Sequence, residues 1–566
     1  MYLRTTKRKN KDGSVVEYLQ LAHNVRHPQT GSPVAEIVHN FGRADELNRD
    51  DLVRLCRSIA RVCGLEVLDP LAAPGGSSAR QEATGLPEDL KLIRTLDLGV
   101  PFVTEILWER LGIGPALRKV MTESRCDLEY EKALLAITAN RLCEPESKLG
   151  VWDRWLSKVF LPSCAGLKLN QMYEAMDVLY RHIAKVEDSV FFHTANLFNL
   201  VVDLIFYDTT TAGFSIDEPD EDTEEGPGLR KYGHSKDGTW SPQVVVALAV
   251  TREGLPVRSW VFPGNTSDVE TIKKVREDLR GWKLGRALFV ADSGANSAAN
   301  REELAKACGK YLLATRMSSV SEIKEDVLTR PGRYRVITEN LHAKEVVVGD
   351  GERRCRYILC YNPREAERQR KHREQVVKEL EEELKSHPDH KATARWAIEL
   401  MASGRYKRYL AIDKTERVRV DRAAIREIAK YDGKWVLQTN DDTISLEDAA
   451  AGYKGLLVIE RCFRTLKRTR IQMEPLYHWL PRRIEAHIKL CVFALLIERV
   501  AELKCKEPWP QIKQALATLQ ATEFHTPKFR FFQRNEPSAE LLRKLKSLEI
   551  PMPKTVLNLQ STTSNA

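Results

Sequence analysis

The sequence predicts an α/β protein of several domains. Its 566 residues exceed what a single core requires, so we expect two to four domains. Between Leu200 and Thr315 the pattern is three strands followed by β, α, β, helical periodicity precedes that block, and helices return near the C-terminal end after a second strand-rich stretch. With 43% hydrophobic and 30% charged residues, the composition is that of a soluble globular protein rather than a disordered one.

Charge and cysteine usage narrow the class of protein. The formal net charge of +9 suits a polyanionic partner, although many ordinary proteins share it. The eleven cysteines are scattered without CxxC spacing, which argues against a disulfide framework or a zinc ribbon and predicts a reducing cytoplasm. The apolar run CVFALLI is far shorter than the roughly 20 residues of a membrane span, so neither secretion nor a membrane partner is expected.

The N-terminal third contains two predicted modules. Residues 1–70 are predicted to be a small basic β-meander plus a helix that starts at Asn48 and ends before Gly64. Residues 71–87 are rich in Pro, Gly, Ser and Ala and are predicted to be a linker. Residues 88–197 carry repeated 3.6-residue periodicity, as in YEKALLAITANRLC, and are predicted to be a helical domain.

The remaining two thirds contain the α/β block. Residues 198–315 have the strands LIFYD, QVVVALAVT, PVRSWVFPG, ALFVAD and KYLLATR, and residues 441–505 return to helices. Between them, residues 316–440 form a β-rich block around the charge-dense helix PREAERQRKHREQVVKELEEELK, which we interpret as an insertion with a solvated helix face. Residues 506–566 are polar and Pro-containing, so we expect a peripheral tail.

Two predicted strands of the α/β block end in aspartate. They are LIFYD at Asp208 and ALFVAD at Asp292, and open α/β sheets place their sites at the C-terminal ends of strands. A single aspartate in this position more often caps the following loop. Two strands of one sheet that both end in aspartate favour a shared site.

A third acid lies on a predicted helix, YKGLLVIERCFRTLKRTRIQ. Glu460 shares a face with Arg464, and an ordinary ion pair between them is the alternative to a functional role. The apolar stripe beside it is Ile459, Phe463 and Leu466. The cations on the helix outnumber the single acid five to one, which favours a phosphate backbone as partner; they are Arg461, Arg464, Lys467, Arg468 and Arg470.

Three convergent carboxylates suit phosphodiester chemistry. Two divalent cations about 3.5 to 4 Å apart can activate an attacking oxygen and stabilise a leaving one, and hard cations such as Mg²⁺ prefer carboxylate oxygens. The acidic loop DEPDEDTEEGP, residues 217–227, also offers carboxylates but lacks strand anchoring, so we expect a solvated connection. Asn265 and Asp268 are expected to support the site or to shape a turn, and Trp479 and His487 to lie in the core or an interface.

These motifs resemble the DDE transposases of bacterial insertion sequences, in the branch with a Tyr-x2-Arg-x3-Glu-x6-Lys signature. Tyr453, Glu460 and Lys467 fall at the signature spacing, whereas Leu456 stands at the arginine position and puts the DNA contact of that arginine in question. The stretches YDTTT, KYGHSKDG, FPGNTSD, ADSGANSAAN and PLYHWLPRRIEAHIKL are also similar to the family.

The resemblance implies a ribonuclease-H-like core, a mixed sheet flanked by helices, interrupted by the β-rich insertion and preceded by the β module and the helical domain. It implies that Asp208, Asp292 and Glu460 are catalytic and hold two Mg²⁺ ions, for which Mn²⁺ can substitute. It also implies cutting by water and then joining by the freed 3′ hydroxyl, in a cytoplasmic protein acting at the nucleoid. The implied partners are double-stranded terminal inverted repeats, target DNA and a second copy of the chain in the synaptic complex.

DNA-binding residues follow partly from the resemblance and partly from the charge pattern. Tyr453 and Lys467 are implied to contact DNA near the cleaved phosphate. The other candidates are Arg461, Arg464, Arg468, Lys231, His234 and Lys236, the last three with plain surface as an equal alternative. Two further functions stay open at this point: a structure-selective nuclease on the same fold, and an inactive transposase-derived DNA-binding regulator.

Overall fold

The computed structural model of the chain describes most of its residues. Described are residues 2–9, 15–26, 33–44, 47, 89–200, 202–223, 227–280, 287–307, 309–317, 320–350, 354–387 and 391–561. The chain divides into two compact units, residues 1–86 and residues 87–566. The helix predicted from Asn48 and the predicted linker 71–87 lie outside the described residues.

The first unit contains a three-stranded antiparallel sheet. Its strands are β1 Tyr2–Lys9, β2 Val15–Arg26 and β3 Pro33–Arg43, in the order β1-β2-β3. β1 pairs with β2 from Tyr2 opposite Ala22 to Lys9 opposite Val15. Sequential neighbours therefore pair, as in a meander.

The second unit opens with a strand and then becomes helical. The strand is β4 Lys91–Asp97, which the sequence did not predict because its partner, β17 Gln520–His525, lies more than 400 residues away. The main helices that follow are α1 Gly99–Arg110, α2 Ile113–Glu123, α3 Glu129–Cys143 and α4 Leu169–Leu197. Short helical turns lie between α3 and α4 at Lys148–Gly150, Val151–Trp155 and Pro162–Cys164.

A ten-stranded mixed sheet forms the centre of the second unit. Its first strands are β5 Leu204–Gly213, β6 Lys231–His234, β7 Trp240–Thr251, β8 Pro256–Pro263, β9 Leu288–Ala291 and β10 Lys310–Thr315. β5 is antiparallel to β7 and parallel to β9, and β9 is parallel to β10. The order β8-β7-β5-β9-β10, with three antiparallel strands and then two parallel ones, is consistent with a ribonuclease-H-like domain.

Alternation along the strands gives this sheet two apolar faces. Leu204 and Phe206 of β5 belong to the large core shared with α4 and the later helices, whereas Ile205 and Tyr207 belong to the core on the other face. That second face is covered by α5 Asp268–Arg280 and α6 Ala298–Ala307. A side-chain period of two, buried on both sides, explains why these strands are almost continuously apolar.

The predicted insertion is not a separate β-rich domain. Its longer strands, β11 Arg335–Thr338, β12 Leu341–Val348, β13 Cys355–Tyr361 and β16 Lys434–Thr439, extend the central sheet, because β16 pairs with both β10 and β13. One small core packs the turn Ile323–Val327 against β12, β13 and β16, and the segment between β13 and β16 has two further cores. That segment contains α7 Pro363–Ser386, α8 Arg395–Ala402, β14 Leu410–Ile412, β15 Val418–Val420 and α9 Arg422–Ala429.

The C-terminal residues also differ from expectation. After α10 Leu446–Lys454, α11 Leu457–Arg464 and α12 Pro481–Cys505, the chain forms α13 Trp509–Ala517, β17, β18 Phe529–Arg534, α14 Ala539–Ser547 and β19 Val556–Ser561. Leu541, Leu545 and Leu548 are buried in the main core, and the four strands of this region pair in the order β19-β18-β17-β4. Residues 506–561 are therefore a folded part of the second unit rather than a peripheral tail. Among the described helices, none has the length and apolarity to cross a membrane.

Candidate active site

Asp208 and Asp292 lie side by side on adjacent parallel strands. β5 and β9 pair in register from Leu204 opposite Leu288 to Tyr207 opposite Ala291, so an aspartate follows the last pair on both strands. Adjacent strands are about 4.8 Å apart, and the alternation places both carboxylates on the face of the large core. Asp292 follows β9 directly, as predicted.

The expectation that Asp208 ends its strand is wrong. β5 continues to Gly213 because β7 pairs with it over that whole length. Only the parallel partner β9 stops at this level. Asp208 thus lies where one neighbour ends and the other continues, which exposes its side chain at an edge within the sheet.

Several charged groups surround the Asp208 carboxylate. Burial raises its pKa, and the nearby Asp292 and Asp268 raise it further. Two groups lower the pKa: the Lys236 ammonium lies 3.6 Å from Oδ1, and the Thr209 N–H donates a hydrogen bond to Oδ1 at 2.8 Å. The net pKa is above that of a free aspartate. The pKa is raised mainly because burial disfavours the charged carboxylate, and a bound cation would favour that charged form.

Asp268 contributes more directly than the sequence indicated. At the start of α5, it accepts a hydrogen bond from the Thr209 hydroxyl, and its Oδ2 lies 3.7 Å from the Lys236 Nζ. The Lys236 Nζ also donates to the Thr209 Oγ1 at 2.8 Å. Lys236, Thr209 and Asp268 therefore form a network beside Asp208, from three segments whose proximity depends on the tertiary fold.

The helix that carries Glu460 is shorter than predicted. The sequence indicated one helix through Ile471, but α10 and α11 are separate, and a wider helical turn, Thr465–Thr469, follows α11. Ile459, Phe463 and Leu466 are buried, as the predicted apolar stripe requires. Glu460 therefore lies in the first turn of α11 instead of mid-helix.

Gly455, between the two helices, lets them approach the sheet. A Cβ on Gly455 would lie 2.5 Å from the Cζ of Phe206, two residues before Asp208 on β5. Phe206 is only 1% exposed and is fixed in the core. The absent side chain thus sets the distance between the strand that carries Asp208 and the helix that carries Glu460.

The Tyr453 hydroxyl contacts one of the three acids and lies in the electric field of the other two. It donates a hydrogen bond to the Asp292 Oδ1 at 3.2 Å. Burial raises the pKa of Tyr453, and the negative charges of Asp292, Glu460 and Asp208 raise it further. One phenol therefore lies within electrostatic range of all three carboxylates, two from the sheet and one from α11.

Glu460 itself is exposed, and among the described residues its carboxylate has no hydrogen-bond or ion-pair partner. The alternative ion pair with Arg464 is therefore absent. Arg461 and Arg464 are also exposed and have no carboxylate partner within the described part of the chain. Leu456, at the signature arginine position, is buried and contributes to the core.

The other cations of this helix are compensated. The Lys467 Nζ lies 3.2 Å from Asp237 and 3.6 Å from Glu474. Arg468 pairs with the same two carboxylates, at 3.3 and 2.7 Å. Arg470 pairs with two glutamates of α12, Glu498 and Glu502. The sequence argument from surplus charge therefore holds only for Arg461 and Arg464.

The acidic loop forms an ion pair with Lys231, one of the predicted DNA-binding residues. Lys231 pairs with Asp222 at 2.8 Å and donates to the Asp220 carbonyl. Most of the described loop residues are exposed, as expected of a solvated connection, but the loop is also tied to β6 through Lys231. His234 is exposed and lies edge-on to Trp240, with ring centroids 4.7 Å apart.

The donor set suits a hard divalent cation, since Asp208, Asp292 and Glu460 offer only carboxylate oxygens. Within the described residues, no three acidic, histidine or cysteine side chains are grouped tightly enough to hold an ion as they stand. The Tyr453 hydroxyl and the Lys236 ammonium occupy the space next to Asp292 and Asp208. Both polar groups compensate the carboxylates in this arrangement.

Comparison with known proteins agrees with this geometry. Residues 3–69 match the N-terminal domain of IS1634 family transposases, and residues 209–497 match the transposase DDE domain. The second match includes Asp292 and Glu460 and begins one residue after Asp208. No curated protein matches the chain. Because the DDE match covers just over half of the 566 residues and an IS1634-type N-terminal domain precedes it, the chain belongs to the DDE transposases of insertion sequences.

Proposed function

We propose that the chain binds the terminal inverted repeats of its insertion sequence and catalyses metal-dependent cleavage and transfer of DNA strands. The observation that carries this proposal is the side-by-side placement of Asp208 and Asp292, which follow the last pair in the register of β5 and β9, with Glu460 near enough to Tyr453 for its charge to raise the pKa of that phenol. DNA is the partner that the transposase domains imply. Inverted repeats, target DNA and a second copy of the chain are the partners proposed for the complete reaction.

The three carboxylates are the proposed ligands of two Mg²⁺ ions. Divalent ions bound there supply charge stabilisation for the attacking and leaving oxygens of a phosphodiester. Lys236 offsets the negative charge of Asp208 and Asp268 as long as no metal ion is bound. Tyr453 fixes the orientation of Asp292 by donating a hydrogen bond to one of its oxygens.

Arg461 and Arg464 are the proposed first contacts with the DNA backbone near the reacting phosphate. Both are exposed and without a carboxylate partner in the described structure, and they lie one and four residues after Glu460. Lys467 and Arg468 are paired with Asp237 and Glu474, so they contact DNA only if a phosphate replaces one of those carboxylates. Because exposed ion pairs are worth about 1 kcal/mol or less, exchange of Asp237 for a phosphate costs Arg468 little, whereas Glu474 is buried and keeps its cation.

The proposal is tested by cleavage of a DNA fragment that contains both ends of the element, with Mg²⁺. We expect Asp292→Asn to reduce nicking by more than about 100-fold while DNA binding is kept, because a lost metal ligand affects turnover more than association. Asp442→Asn, an exposed aspartate paired with Arg354, is the control and should nick normally.

Two results bear on the alternatives. Joining of pre-cut ends to a target plasmid separates a transposase from a nuclease, which would cut but never join. Normal nicking by the Asp292→Asn protein would contradict the proposed site.

A further inference from the structure

A wide cavity lies between the helical region and the segment that follows the glutamate helix. Its volume is about 730 Å³. One wall is formed by Arg141 and Lys148, and the other by residues 472–480 and His487. The proposed catalytic carboxylates do not line it, and none of the functional roles above uses it.

Two cations of this cavity are buried without a carboxylate partner. Arg141 is 5% exposed and Lys148 is 4% exposed. Arg141 donates to the carbonyls of Gln472 and Glu146 and to the Asn140 amide oxygen, and its Nε has no partner within the described structure. A buried, unpaired cation is costly unless a negative ligand completes it.

Lys148 is held only by a neutral imidazole. Its Nζ lies 2.6 Å from the His487 Nδ1, while the His487 Nε2 lies 3.1 Å from the Met473 carbonyl. Because a carbonyl only accepts, Nε2 carries the hydrogen and Nδ1 accepts from the ammonium. Burial, together with the nearby Lys148 and the His478 ring, keeps the pKa of His487 well below its usual value, so the ring adds no compensating charge.

The carboxylates that line the cavity are engaged elsewhere. Glu146 pairs with Arg154 at 2.6 Å, and Glu474 pairs with Arg468 at 2.7 Å. Arg483, also on the wall, pairs with Asp177 outside it. Among the described residues, the charge at the cavity wall without a carboxylate partner is that of Arg141 and of Lys148, whose pKa is lowered to about 7 by burial and by the nearby Arg141; a bound phosphate would favour the protonated lysine.

The mouth of the cavity carries two exposed aromatic side chains. Tyr477 is 64% exposed and Trp479 is 56% exposed. The Trp479 ring has one face over the Arg230 guanidinium, 4.8 Å from its centroid. Exposed aromatic rings beside a cationic recess suit a nucleotide, because the cations can bind its phosphate and the rings can stack on its base.

The fold connects this cavity to the proposed catalytic carboxylates. The Leu476 N–H donates to the Gly213 carbonyl at 2.9 Å, at the end of β5. Gly213 is five residues beyond Asp208, which corresponds to about 17 Å along a strand. A phosphate held in the cavity would therefore belong to a nucleotide a short distance along the strand from the one that reacts.

We propose that the cavity formed by Arg141, Lys148 and His487 is a subsite for a DNA backbone phosphate a few nucleotides from the one that reacts, with Tyr477 and Trp479 contacting the attached nucleoside. The proposal rests on the proposed function, because it takes DNA to be held at the carboxylates of the same chain. It adds a contact that would position the strand but take no part in the chemistry.

The first test measures binding of the full chain to an element-end duplex as a function of salt. We expect Lys148→Met to weaken binding about tenfold and to reduce the slope of log affinity against log salt by about 1, since one phosphate contact is lost. Lys378→Met, which removes a 78% exposed lysine from the charge-dense helix, is the matched control and should change neither quantity.

The second test does not depend on the buried substitution. The photoreactive p-benzoylphenylalanine in place of Tyr477 should cross-link to a nucleotide within a few positions of the cleavage site, whereas the same group in place of the exposed Phe529 should not. Unchanged affinity and slope in a folded Lys148→Met protein, or no cross-link at position 477, would overturn the subsite while normal nicking left the proposed function intact. A wild-type chain that binds no element-end DNA would overturn both.

Discussion

Gly455 offers a direct way to separate folding from catalysis. Gly455→Ala would place a methyl group 2.5 Å from the Phe206 Cζ, where ordinary contact begins near 3.4 Å. Phe206 is packed in the core, so the strain falls mainly on the joint between α10 and α11. A shift of about 1 Å there moves Tyr453 and Glu460 away from Asp208 and Asp292.

The expected cost of this substitution divides into two parts. Overpacking of this kind destabilises a core by about 1–3 kcal/mol, which a second unit of this size tolerates. A misplacement of about 1 Å costs up to about 100-fold in rate, so we expect nicking to fall by about 10- to 100-fold in a folded protein.

The assay compares nicking rates and circular dichroism of Gly455→Ala with those of a nearby control. Gly452→Ala is that control, because a Cβ there would meet only the Leu204 Cδ1 at 3.5 Å. Phe206→Leu combined with Gly455→Ala should recover part of the lost rate by making room for the methyl group. A folded Gly455→Ala protein that nicks as fast as Gly452→Ala would refute the reasoning.

Two further predictions concern stability. Burial raises the pKa of Glu523, but hydrogen bonds from Arg94, His525 and Arg530 outweigh it and lower the pKa to about 2. This stabilisation is therefore complete above about pH 5 and lost toward pH 2, so Glu523→Gln should cost on the order of 3 kcal/mol of unfolding free energy at pH 7 and almost nothing at pH 2. A pH-independent difference in urea unfolding would contradict that pKa. Lys489→Met leaves the buried Glu187 carboxylate, 3.0 Å from Nζ, without its cation and should cost about 3–5 kcal/mol in thermal unfolding. Adding Glu187→Gln should restore part of the lost stability. A double variant as unstable as Lys489→Met would argue against a stabilising Lys489–Glu187 ion pair.

Asp292 could be predicted from the sequence because its signal is local. A short apolar strand followed by aspartate and glycine marks a strand end whatever the tertiary fold. The position of Asp208 within β5 could also have been found, since Thr209, Thr210 and Thr211 are β-branched and favour continuation of the strand. The break at Gly455 was visible as well, but a single glycine within a helical pattern is usually tolerated.

Other features depend on contacts between distant segments. Nothing near Asp268 or Lys236 in the sequence indicates that both approach Thr209, because a turn, a helix start and a strand come together only in the folded sheet. The pairing of β16 with β10 likewise joins residues more than 120 positions apart. Strand ends and helix charge indicated the three acids and the family resemblance gave them a role, but periodicity alone could not show that Lys467 and Arg468 are paired with Asp237 and Glu474.

The most direct test of the central claim is an anomalous diffraction map of the DNA-bound protein crystallised with Mn²⁺. The account predicts two strong peaks about 3.5 to 4 Å apart, with carboxylate oxygens of Asp208, Asp292 and Glu460 as their protein ligands. Metal peaks that one of these three side chains does not contact, in a complex with the DNA end engaged, would contradict it.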